Sequence, residues 1–148
     1  MSAQWCNHAV AVVRHQAVQR YDAHFNATWR LSMAFSELER RRIEKALSAF
    51  VERRRPPAHL RAQIDIGSQV VGQSVEIFEQ RPAWRGAPGE IMRNPVAKAT
   101  YVKRTDTWKV YWHRADQRWH AYEPAAEVDS VEGFLAVVDR DAHACFWG

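Results

Sequence analysis

Between Leu60 and Tyr122 the chain falls into short runs in which apolar and polar residues alternate. They lie at about Leu60–Ile66, Val70–Gln80, Val96–Lys103, Thr107–Arg114 and Gln117–Tyr122, and are rich in β-branched and aromatic residues. A two-residue period belongs to strands, whose successive side chains point to opposite faces, so this stretch predicts about five strands. Gly67-Ser68, Thr105-Asp106 and Ala115-Asp116 punctuate the runs at the spacing of antiparallel hairpins. The interval from Arg81 to Pro95 holds Pro82, Gly86, Pro88, Gly89 and Pro95, and predicts a longer loop.

Helices are predicted on either side. Ser36-Glu37-Leu38-Glu39 is a capping box, in which hydroxyl and carboxylate satisfy the first unpaired backbone donors of a helix. Ile43, Leu47 and Phe50 then keep an apolar stripe at helical spacing until Pro56-Pro57 stops it, so the helix should end near Arg54. Asp129 with Glu132 can cap a second helix whose stripe is Val131, Phe134, Leu135 and Val138. The fold class expected is therefore α+β: one two-layer domain of helix, about five antiparallel strands and helix, with both helices on one sheet face.

Residues 1–32 do not match the rest. Val10, Val13, Ala17 and Tyr21 suggest a short amphipathic helix without a convincing cap, so the segment is expected to be a poorly ordered extension, read as an over-extended translation start before a domain of residues 33–148. Ala9–Val13 is too short for a signal-peptide core, and no apolar run approaches the ~18 residues of a spanning helix. Cys6 and Cys145 are far apart and in no Cys-x-x-Cys pair, which argues against a disulfide scaffold. A soluble protein of the cytoplasm, with no membrane partner, is the expectation.

The net charge of +4 conceals a division along the chain. Residues 81–118 hold nine cations against Glu90, Asp106 and Asp116, while residues 119–148 hold Arg140 against six acids. Such a basic middle either meets a polyanion or is neutralised inside the fold.

Strand alternation sorts the middle into faces. Trp108, Val110 and Trp112 point one way; Lys109, Tyr111 and His113 point the other. With Ala115-Asp116 as a hairpin tip, Trp112 would lie opposite Trp119, Tyr111 opposite His120, Lys109 opposite Tyr122 and His113 opposite Arg118, with Thr100 and Lys98 alongside across the Thr105-Asp106 turn. The first face would be core, with Trp119 in it. The second would be polar, cationic and aromatic, a binding platform of the kind an antiparallel sheet leaves wet.

Several separated motifs then agree with one family. Glu79-Gln80-Arg81-Pro82-Ala83-Trp84, Ala97-Lys98, Tyr101, the run Trp108 to Tyr122 and the ending Asp141-Ala142-His143-Ala144-Cys145-Phe146-Trp147-Gly148 resemble the bacterial domain of unknown function DUF3024, from about Met33 to the C-terminus. The resemblance implies a small bacterial protein and supplies no catalytic or binding residues.

Three chemistries compete for the remaining residues. A reader of nucleic acid or another polyanion would use Lys98, Lys109, Arg114 and Arg118 for phosphates and Tyr111, His120 and Tyr122 for stacking, with Arg81 and Trp84 in the Pro/Gly loop. Trp84 either clamps that loop to the sheet or anchors a ligand, and the clamp is preferred. A small metal-dependent hydrolase or nuclease would enlist Glu79, Lys98, Asp116 and His120, although no Asp is followed by a Glu-x-Lys. A zinc site from His113, His120, His143 and Cys145 lacks the usual ligand spacing. No cofactor motif is legible, so a non-catalytic binding module is the leading expectation. Oligomeric state stays open, since an edge strand near Leu60 or Gln117 would allow dimerisation.

Overall fold

The computed structural model describes residues 35–148; the expectations for residues 1–32 fall outside the described part. Helix α1 spans Glu37–Arg54 and starts at the capping box, with Ser36 Oγ accepting from the Glu39 backbone N–H and the Glu39 carboxylate accepting from that of Ser36. Helix α2 spans Val131–Arg140. Its cap is Ser130, whose hydroxyl accepts from the Gly133 N–H, and not the expected Asp129. All seven stripe residues are buried.

Six strands, β1 (Asp65–Val71), β2 (Ser74–Pro82), β3 (Ile91–Val102), β4 (Thr107–His113), β5 (Trp119–Ala121) and β6 (Glu127–Val128), form one antiparallel sheet. The order is β1-β2-β3-β4-β5, and β6 continues the β5 edge by pairing with the start of β4. The class is α+β, as expected. The core joins Ile43, Leu47 and Phe50 and the α2 stripe to Val75, Ile77, Val96, Ala97, Ala99, Trp108 and Val110 on one sheet face. No helix among the described residues is long and apolar enough to cross a membrane.

Three sequence expectations need correction. Leu60 lies in a 3-10 turn, and the first hairpin turns at Gly72-Gln73, where Gly72 has φ +59°, and not at Gly67-Ser68. Gly67 is inside β1 because the Phe78 ring lies across it on the second face. The long loop contracts to residues 83–90, since β2 and β3 stay paired out to Pro82 opposite Ile91. Pro95 is tolerated because β4 pairing begins only at Ala97, so no ladder bond is asked of its nitrogen. A bulge at the β2–β3 register shift lets Val96 and Ala97 both reach the core.

The third correction is the register of β5. The turn after β4 closes with the Arg114 N–H on the Arg118 carbonyl and the Gln117 N–H on the Arg114 carbonyl, with Gln117 at φ +60°. This wider turn sets Tyr111 opposite Ala121, Trp112 opposite His120 and His113 opposite Trp119. A slip of one residue exchanges the faces of every side chain on a strand. Trp119 therefore joins His113 on the second face, His120 goes to the helix side, and Tyr122, whose N–H bonds the Val110 carbonyl, is buried at 2% exposure.

Candidate functional site

Rows across the sheet identify the second face. Gln69, Glu76, Phe78, Arg93, Lys98, Thr100, Lys109, Tyr111, His113 and Trp119 share it, as the cross-strand pairs require. A line of contacts runs through it from β1 to β5. The Arg93 guanidinium lies 4.8 Å from the Phe78 ring centroid and donates to Gln69 Oε1, and Gln69 Nε2 donates to Glu76 Oε2 at 2.8 Å. Glu76 Oε1 is 3.8 Å from Lys98 Nζ, which stands 5.7 Å from the Trp119 ring centroid, and Trp119 meets His113 edge-on at 5.0 Å. Sequence reasoning placed Lys98, Lys109 and Tyr111 here correctly. It missed Trp119 and Phe78: the former was lost with the register, the latter with the position of the first turn.

At one end of the sheet β2 and β3 run on as a two-stranded arm. Arg81 and Pro82 extend past the β1 pairing, and Ile91–Val96 past the β4 pairing. The arm tip carries Trp84, 89% exposed, so the expected clamp onto the sheet is absent. Arg81, Arg85 and Arg93 sit on the arm, and the β4–β5 turn brings Arg114 and Arg118 to the same end. Arg81 pairs with Glu79 at 2.9 Å, and the Arg114 guanidinium lies over the half-buried Trp112.

Charge pairing differs between the two layers. On and just after α1, Arg40 pairs with Glu44, Arg41 with Glu37, Arg53 and Arg54 with Asp139, and Arg55 with Glu52 and Asp65. In the sheet and its loops, Arg85, Arg93, Lys109, Arg114 and Arg118 make no ion pair among the described residues. Two acids share the second face: Glu76, which faces Lys98, and Glu127, which lies opposite Lys109 on β6.

The residues a hydrolase would need are dispersed. Glu79 and His120 lie on helix-side rows and Lys98 on the opposite face. Strands β2 and β5 are three spacings apart, about 14 Å. Asp116 holds His120 Nε2 at 2.8 Å across the hairpin, and this contact pulls the Asp116 carboxyl below its ordinary range. A groove of about 570 Å³ between α1 and α2 is lined by Ala46, Ala49, Phe50 and Leu135, and by none of these four residues. The zinc candidates also separate, because His113 and His120 point to opposite faces. Among the described residues no group of three His, Cys, Asp or Glu side chains is arranged to hold a metal ion.

The C-terminal motif is a clasp. Asp141 adopts φ +40°, and its Oδ1 accepts the N–H groups of Cys145 and Phe146 while its Oδ2 accepts that of Trp147. Phe146 is thereby inserted beside Tyr122, with ring centroids 4.8 Å apart. The Trp147 indole N–H takes the Val138 carbonyl left open at the end of α2, and Arg54 lies 4.5 Å from the Trp147 ring centroid. Burial, followed by the nearby Cys145 and Asp141, raises the Tyr122 phenol above its usual value.

A two-layer α+β domain with a protruding arginine-rich arm, and ionisable groups spread rather than converged, is the class this geometry defines. The family described as Domain of unknown function (DUF3024) matches residues 35–148, and the chain belongs to it. No curated protein and no solved structure matches the chain.

Proposed function

We propose that this protein is a non-catalytic binding module of the bacterial cytoplasm whose arm and second sheet face engage an anionic partner such as nucleic acid. The observation that carries this reading is the division of charge: four of the five arginines of α1 are ion-paired, two within the helix and two with Asp139 of α2, whereas Arg85, Arg93, Arg114 and Arg118 make no ion pair among the described residues. Unpaired cations set among aromatic side chains suit phosphates and bases together. The free thiol of Cys145 fits a reducing compartment. Tyr122 and His120 leave the binding set that the sequence suggested, and Trp119 and Arg93 enter it.

Titration of the full chain with short DNA and RNA at several salt concentrations tests the reading. Binding that weakens steeply as salt rises is expected, and Arg93→Ala should reduce the salt slope by about 0.7 to 0.9. No binding at low salt, or binding indifferent to salt, would overturn it.

A further inference from the structure

We infer that the partner of the arginine-rich end is single-stranded nucleic acid, with Trp84 as the side chain on which an unpaired base stacks. This rests on the polyanion reading and narrows it. Among the described residues no aromatic ring or cationic group packs on the Trp84 indole, whereas Trp112, Trp119 and Trp147 each carry a cation over the ring. Among the described residues nothing stacks on either of its faces, and it is 89% exposed.

The loop that presents it is built, not slack. The Ala83 N–H donates to the Glu90 carbonyl at 2.8 Å, the Glu90 N–H to the Ala87 carbonyl at 2.9 Å, and the Glu90 carboxylate accepts the Ala87 N–H at 2.9 Å. Gly86 leaves room for that carboxylate, since a Cβ there would collide with it. The main acid of the arm is therefore occupied in holding the tip; Arg85 follows Trp84 directly in the chain, and Arg81 and Arg93 stand on the paired strands behind it. An indole buries 150–250 Å² when covered, so a preorganised loop that keeps one bare offers a ready contact surface.

The pairing of one free aromatic with several cations matches a nucleotide, which carries a π-face and a phosphate. In a duplex each base face is already stacked, and opening a step costs a few kcal/mol. An unpaired strand presents its bases without that cost. Ile91 and Met92, 61% and 46% exposed at the start of β3, add apolar surface to the arm.

Three probes, a short oligothymidine, the corresponding duplex and inorganic polyphosphate, are titrated into the full chain and into Trp84→Ala, Trp84→Phe and Arg85→Ala. Trp84→Ala is expected to weaken oligothymidine binding by about fivefold or more, with polyphosphate binding and salt slope unchanged. Trp84→Phe should recover most of the loss, and Arg85→Ala should lower the salt slope by about 0.7. Oligothymidine binding insensitive to Trp84→Ala would overturn base stacking while leaving the polyanion reading intact, and preference for the duplex would overturn the single-strand assignment. Failure of all three probes to bind at low salt would remove the polyanion reading itself.

Discussion

Lys98 stands 5.7 Å from the Trp119 ring centroid because β5 pairs with β4 through Tyr111 opposite Ala121. Had Trp119 faced Trp112, its indole would lie on the helix side and the aromatic content of the second face would be lower. The turn that decides between these registers places Gln117 at φ +60°. A left-handed residue costs a side chain with Cβ about 1–2 kcal/mol, least for Asn and most for β-branched residues. Gln117→Val should therefore be less stable than Gln117→Asn by about 1 kcal/mol or more in urea unfolding. Equal stabilities would mean the turn does not hold that conformation in solution.

The Phe78 ring occupies the space a Cβ on Gly67 would need, and Phe78 is itself buried beneath Arg93. Gly67→Ala must displace the ring, at a cost of about 1–3 kcal/mol. Phe78→Leu should recover part of that loss in the double variant. Independent, additive costs would separate the two residues.

Asp141 gathers three backbone donors of the tail onto one carboxylate. Asp141→Ala leaves those donors without it and should cost about 2 kcal/mol or more, measured by chemical denaturation. Asp141→Asn should cost less, because an amide oxygen can still accept from Cys145 and Phe146 and Asn tolerates a positive φ. A benign Asp141→Ala would show that the clasp contributes nothing to stability.

Arg55 holds Asp65 through two hydrogen bonds of 3.0 and 2.7 Å, and this guanidinium, ahead of the Ile66 N–H, keeps the Asp65 carboxyl below its usual range. Its folded value lies below its unfolded one, so the unfolded chain binds more protons in acid. The stabilisation is present above the unfolded value of about 3.9 and is lost as pH falls through the folded value. Glu39, held down by Ser36, and Asp116, held down by His120, have the same sign. Urea midpoints between about pH 5 and pH 2 should fall less steeply for Asp65→Asn than for the parent chain. Identical acid limbs would refute the pairing.

Elements set by local chemistry were legible in the residues themselves. Ser36 and Glu39 cap α1, Pro56 stops it, Val131, Phe134, Leu135 and Val138 face the core, and the Thr105-Asp106 turn sets Lys98 opposite Tyr111 and Thr100 opposite Lys109. Each depends on groups within a few residues of one another. The place of Trp119, His120 and Tyr122, the true turn at Gly72, the length of the arm and the role of Asp141 depend on tertiary structure. A single residue more or less in a turn reverses a strand's faces, and nothing in Arg114-Ala115-Asp116-Gln117-Arg118 announces that a residue with a Cβ will take a left-handed conformation. Likewise three backbone donors converge on Asp141 only after the chain has bent back upon α2, so the same eight residues that identify the family do not by themselves reveal that they form a clasp.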